Sequence, residues 1–405
     1  MNHMSENLAY SRLETVAFGG HSAVKDAYVL LSVVLRAGAN RLGEALVIGE
    51  DAKGAVERTV AGVVGTGSPV PLRVVAWQRR AEVLTHPKLP CLAEFHTLNL
   101  SAGCPNECRY CYAQSYAHHP GWGTVAYYAN ALEKLRGELA RLRVAPRLVY
   151  FSTASEPFVP AERVLDDLYA IMAMLLERGV ALLISTKGVI PDRFVALFAR
   201  YPGRVHVQVG ITTERDSARA LIEPRAASVA ERLDNLARLA GAGVSCEARV
   251  DPLAPGLTDT GENLKALADA LARVGVRRAV ASFLFLRWGI KFPNDLRLDG
   301  WSSGAMRRLY THKVTNYCGG GTIWLPPAAY RSERLAAFES LARERGIEVV
   351  VCRCKNADLP GARCCHPTEA LGAGPEEKTL EPGTARKRAT DPGPAEGSGE
   401  QLTIF

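Results

Sequence analysis

The sequence predicts an α/β fold on a parallel sheet, and three observations predict it. From residue 96 onward short apolar runs alternate with longer stretches of helical periodicity. A single helix-length stretch separates successive runs, the connection that parallel strands require. The residues just after the runs are small, polar or charged, as at the C-terminal rim of such a sheet. In order, residues 96–100 read as the first strand and 124–142 as its helix. Strand two is 148–152 and helix two 161–178. Strand three is 180–185, and helix three is 191–201, with Pro191 in the first turn, where a missing amide proton does no harm. Strand four is 205–211, followed by helix 228–242, which opens on Ser228 and Glu231 in capping-box spacing. Strand five is 244–250, helix five 262–274, and strand six 279–286.

The chain has 405 residues, 47% hydrophobic and 22% charged, a size for one large α/β domain with appendages or for two domains. Its net charge of +7 permits a polyanionic partner without requiring one. No apolar run reaches the ~20 residues of a membrane helix, and residues 1–12 lack the layout of a signal peptide. The expected location is the cytoplasm, with no membrane partner. Cysteines clustered at 104–111 and 352–365 point to metals in a reducing compartment. Residues 1–95 form an N-terminal extension without a catalytic motif.

The residues with the most chemistry lie between 98 and 114, where Cys104, Cys108 and Cys111 stand in C-x3-C-x2-C spacing. A [4Fe-4S] cube takes one soft ligand per iron, so three cysteines leave one iron open to a substrate or cofactor. A zinc knuckle would want a fourth ligand close by, and none is obvious. With Gly103 and Tyr110, the loop resembles that of the radical S-adenosylmethionine (radical SAM) superfamily. The resemblance implies a partial (β/α)6 barrel, a [4Fe-4S] cluster, and S-adenosylmethionine (AdoMet) chelated by the unique iron. It also implies an electron donor such as flavodoxin or ferredoxin.

The polar turns supply candidates for AdoMet. Lys187 and Arg249 suit its carboxylate or a substrate anion, Ser155 and Glu156 its amino group, and Thr212 a hydroxyl contact. Tyr110 is expected near the adenine. The sequence 152–162, the Ser-Thr-Lys at 185–187, the Ile-Glu-Pro-Arg-Ala-Ala-Ser at 222–228 and the Arg-x-Asp-Pro-Leu-x-Pro-Gly-Leu-Thr-Asp at 249–259 narrow the resemblance. Together they are similar to the spore photoproduct lyase group over residues 96–290. One departure matters. The lyases carry a radical-quenching cysteine just after the second strand, where this chain has Thr153, whose O–H bond is a poor hydrogen-atom source. Cys246, Tyr110 and Tyr112 are the alternative candidates for handling a radical.

Residues 291–370 hold a second cysteine group. Cys352 and Cys354 project to one side of a strand end, Cys364 and Cys365 follow, and Cys318 or His366 is available as a fourth ligand. This is a candidate second [4Fe-4S] cluster or zinc site. Residues 371–400 have the composition of a disordered linker. The last residues, Gln401 to Phe405, resemble the pentapeptide with which DNA polymerases and repair proteins dock on the bacterial sliding clamp. The expected activity is radical chemistry on a nucleic acid base, in DNA repair or modification. Two alternatives are a radical SAM enzyme for a peptide or small metabolite, and a non-catalytic Fe-S or clamp-binding adaptor.

Overall fold

Parallel strands joined by single helices form the centre of the molecule, as the alternating periodicity requires. A computed structural model describes residues 58–60, 71–87, 92, 95–287, 290, 292–315, 321–367 and 371. The chain begins with β1 (Arg58–Val60), β2 (Leu72–Trp77), β3 (His96–Leu98), β4 (Ser101–Ala102) and β5 (Thr124–Tyr128). Next come α1 (Ala131–Arg141), β6 (Leu148–Phe151), α2 (Glu162–Glu177), β7 (Ala181–Thr186), α3 (Asp192–Ala199) and β8 (Val205–Gly210). Then follow α4 (Asp216–Ile222), α5 (Val229–Gly241), β9 (Ser245–Leu253), α6 (Gly261–Arg273) and β10 (Arg278–Phe283). The C-terminal part holds β11 (Leu286–Arg287), β12 (Arg297–Leu298), β13 (Trp301–Ser302) and α7 (Ser303–Arg307). It ends with β14 (His312–Thr315), β15 (Thr322–Leu325), α8 (Ala328–Arg343) and β16 (Glu348–Val351).

The main sheet runs β16-β10-β9-β8-β7-β6-β3, and every neighbouring pair in it is parallel. All six predicted strands are present and in chain order. A seventh, β16, joins the far edge beside β10, with Arg278 opposite Glu348 and Ala281 opposite Val351. Helix α8 brings the chain back to that edge and buries Leu335, Phe338 and Ala342. Fully buried Phe151, Phe194, Phe198 and Phe283 fill the space between sheet and helices. Helix α5 opens as its spacing predicts: Ser228 Oγ accepts from the Glu231 N–H at 3.2 Å, and the Glu231 carboxylate accepts from the Ser228 N–H at 2.7 Å.

One element differs from its prediction. Residues 124–142 are not a single helix, because their first five form β5, parallel to β2 from Arg73↔Thr124 to Trp77↔Tyr128. The segment Thr-Val-Ala-Tyr-Tyr is β-branched and aromatic, and a short apolar run is not assigned by periodicity alone. The consequence is a second sheet, β1-β2-β5-β4, to which residues from within the 1–95 section contribute two strands. Its edge strand β4 lies immediately before the cysteine loop, so this sheet braces that loop.

Candidate functional site

The cysteine loop leaves β4 through Gly103, whose φ is +76°. A Cβ there would lie 2.6 Å from the Thr124 carbonyl oxygen, so the turn against β5 demands glycine. Beyond it, the loop is tied to distant segments. The Arg109 N–H donates to the Ile222 carbonyl at 2.9 Å, and the Arg225 N–H to the Asn106 carbonyl at 3.3 Å. Within the loop, the Cys111 N–H reaches the Cys108 carbonyl at 2.9 Å, and Gln114 Nε2 reaches the same carbonyl at 2.7 Å.

Cys104, Cys108 and Cys111 line one cavity of about 550 Å³ at the C-terminal ends of the parallel strands. Tyr110, Tyr112, Ser155, Glu156, Lys187 and Arg249 border it too. So do Cys352, Cys354 and Cys365, which makes the two cysteine groups walls of a single space. Burial raises the thiol pKa of Cys108 to about 12, with the Glu223 carboxylate adding to the rise and Lys187 opposing it. Burial likewise raises Cys104 and Cys111. Without metal these thiols hold their protons, and a metal that takes them must displace the protons.

Beside the loop lies a buried ionic group. Glu223 forms an ion pair with Arg232 at 2.5 Å, both wholly without solvent contact, and stands 4.0 Å from Lys187 Nζ. The Tyr110 hydroxyl donates to the same carboxylate. Burial disfavours the Glu223 charge, yet Arg232 and Lys187 hold its pKa below the ordinary glutamate value. Lys187 Nζ in turn lies 5.8 Å from the centre of the Tyr110 ring. Across the cavity, Arg249 donates to Gln208 Oε1 at 3.2 Å and to Asp251 at 3.2 Å, and Lys355 pairs with Asp251 at 2.5 Å.

Several sequence expectations need correction. Glu156 borders the cavity, but its carboxylate accepts from Asn106 Nδ2 (2.8 Å), the Lys187 N–H (2.9 Å), Thr186 Oγ1 (2.5 Å) and the Phe158 N–H (3.1 Å). Two bonds on each oxygen fill its acceptor capacity, so it pins the turn and is not open to an amino group. Thr212 is buried away from the cavity wall, its carbonyl receiving Asn263 Nδ2 at 3.2 Å. Cys246 faces α5, with Sγ 3.9 Å from the Leu236 carbonyl oxygen. Strand alternation sends Arg249 and Asp251 to the cavity and Cys246 to the helix layer. Cys318 lies outside the described residues. Cys364 is exposed and does not border the cavity.

Sequence reasoning missed Tyr150, Ser185 and Gln208, which form a hydrogen-bonded floor beneath Arg249. The signal was there: a glutamine alternating with valines in β8 marks an inward polar face.

Residues 98–277 match the family model described as the Radical SAM superfamily. They form a radical SAM domain. Spore photoproduct lyase complexed with dinucleoside spore photoproduct has the same fold, with a TM-score of 0.51 and 16% identity. That match covers 69% of this chain and 82% of the lyase. A mutant lyase with bound AdoMet and the same dinucleoside matches at a TM-score of 0.50 and 17% identity, covering 68% and 81%. In sequence, the chain is similar to the radical SAM Nalpha-GlyT isomerase of Pseudomonas phage M6, 26% identical over 275 residues. It is also similar to an uncharacterised Mycobacterium tuberculosis protein, 28% identical over 245 residues. These alignments cover 67% and 57% of this chain, and 56% and 68% of the respective relatives. The chain thus spans little more than half of the phage enzyme's length.

A radical SAM domain works with a [4Fe-4S] cluster and AdoMet, and the residues present fit them. Among the described residues no three cysteine, histidine, aspartate or glutamate side chains close on a single ion. A cube does not ask for that, because each of its thiolates binds a different iron and the ligands stand apart. Three thiols on one loop, facing one cavity with Lys187 and Ser155 beside them, meet the requirement.

Proposed function

We propose that this chain is a radical SAM enzyme that abstracts hydrogen from a nucleic acid base, in DNA repair or modification. The observation that carries the reading is the cavity, which joins the Cys104, Cys108 and Cys111 loop to a wall of four cationic side chains, Lys187, Arg249, Arg287 and Lys355, against two carboxylates, Glu156 and Asp251. In this reading Cys104, Cys108 and Cys111 hold the cluster. Lys187 and Ser155 meet the charged end of AdoMet, and Arg249 and Arg287 face the anionic substrate. When bound, the cluster and AdoMet supply a 5'-deoxyadenosyl radical. Tyr110, held by Glu223 and overlaid by Lys187, shapes the adenine side of the site.

Support for a nucleic acid substrate comes from the dinucleoside bound by spore photoproduct lyase, from the net charge of +7, and from the clamp-like residues Gln401 to Phe405. Thr153 lines the cavity in place of a quenching thiol, so the reaction proposed ends differently from a thiol-quenched lyase reaction. The location proposed is the cytoplasm, with flavodoxin or ferredoxin as electron donor; no helix among the described residues is long and apolar enough to cross a membrane.

Anaerobic reconstitution, reduction and addition of AdoMet test this directly. The expected result is 5'-deoxyadenosine from the unaltered chain and none from Cys108→Ala, together with a nucleoside of altered mass or retention in digested DNA. No 5'-deoxyadenosine would remove the enzyme reading. Its formation with DNA unchanged and a peptide pool altered would remove the nucleic acid reading alone.

A further inference from the structure

We propose that Cys352, Cys354, Cys365 and His366 form a second metal site, holding a single zinc-class ion in the wall of the same cavity. The backbone already places these residues together. Cys352 directly follows β16 and forms an isolated parallel bridge with Arg363. The Arg353 N–H donates to the Arg363 carbonyl, and the Arg363 N–H to the Val351 carbonyl, each at 3.0 Å. Arg363 is therefore held beside residues 351–353, and Cys364, Cys365 and His366 follow it directly.

Their side chains touch. Cys352 and Cys365 share one buried cluster, and Cys354 packs against it. His366 Nδ1 lies 3.8 Å from Cys364 Sγ, and its ring borders the cavity with Cys365. Cys352, Cys354, Cys365 and His366 border the cavity and Cys364 does not, which selects the ligand set.

The donor set selects the metal class. Zinc takes four ligands in a tetrahedron, thiolates and imidazole among them, and three thiols with one imidazole make such a set. A cube would spread its ligands over separate irons. The four side chains are not closed on one point, so binding the ion requires them to turn inward on the backbone. That backbone is held by the Asn356 Nδ2 bond to the Cys352 carbonyl at 2.9 Å, by Arg331 on Asn356 at 2.8 Å, and by the Lys355–Asp251 pair at 2.5 Å. Charge also fits. Three thiolates and a neutral imidazole around a dication carry one net negative charge, and Arg249 Nη1 stands 3.9 Å from Cys365 Sγ to offset it. The ion would lock residues 363–366 against the substrate cavity and orient Arg249.

This inference is independent of the substrate reading. Metal content is measured on the anaerobically purified chain, on a Cys104→Ala, Cys108→Ala, Cys111→Ala variant and on a Cys352→Ser, Cys354→Ser variant. The triple variant is expected to lose its iron and keep one zinc per chain, and the double variant to lose that zinc. Cobalt(II) added to the chelator-stripped triple variant, which lacks the loop thiols, is expected to give thiolate charge-transfer absorption and tetrahedral ligand-field bands, altered by His366→Ala and reversed by zinc. Where the double variant fails to fold, as circular dichroism would show, the cobalt titration of the triple variant decides, and absence of thiolate absorption there would overturn the site. Iron with acid-labile sulfide retained in the triple variant, no metal in it, or a disulfide among Cys352, Cys354 and Cys365 in the anaerobic chain would overturn the site.

Discussion

Glu223 shows what a single side chain does here. A carboxylate with no solvent contact survives only when it is compensated, and Glu223 has Arg232 at 2.5 Å, Lys187 at 4.0 Å and the Tyr110 hydroxyl as its partners. Replacing it by glutamine leaves Arg232 buried and unpaired, so Glu223→Gln is expected to cost about 3–5 kcal/mol. Chemical denaturation measures this, and Glu339→Gln serves as contrast. That exposed partner of Arg343 should cost less than about 1 kcal/mol. Equal effects would mean that the buried group is not a structural anchor. The sequence displays Glu223 only as part of an Ile-Glu-Pro-Arg run. Its meaning comes from Tyr110, more than a hundred positions away, with which it has a sequence separation of 113. The thiols at 104–111, by contrast, lie within one loop, and their spacing is readable without any fold.

Among the elements, α5 is the clearest instance of local code. Ser228 and Glu231 satisfy each other's backbone N–H groups, and both halves of the box are within four residues of chain. Ser228→Ala should cost about 1 kcal/mol of stability, read as a lowered denaturant midpoint with an unchanged slope; no change would show that tertiary packing alone holds that end. The opposite instance is β5. Its residues have a helical rhythm together with those of α1, and pairing with β2 decides in favour of a strand. Element β9 illustrates a third situation. Its alternation was visible in the sequence, but which of the two faces looked into the cavity was not. Register with β8 sets that: Cys246 opposes Val207 and turns to α5, while Arg249 opposes Gly210 and reaches the cavity.

For the whole molecule, the proposal links a catalytic domain to a tail. Residues 401–405 lie outside the described residues, and the linker composition before them suits a peptide anchor that raises local concentration on DNA. Deleting Gln401 to Phe405 is expected to abolish capture by a bacterial sliding clamp in pull-down while leaving 5'-deoxyadenosine formation unchanged. Equal capture with and without the residues, or none in either, would remove the clamp from the proposal. Taken alone, the sequence determined the thiol loop, the order of six strands and the capping of α5, because ligand spacing and periodicity act within a few turns of chain. Only the tertiary structure decided that Glu156 is fully engaged, that Cys246 looks away, that β16 pairs with β10 at the sheet's edge, and that Cys365 meets Arg249 across 116 positions. Those outcomes depend on strand register and on contacts between residues far apart in sequence, which no local pattern encodes.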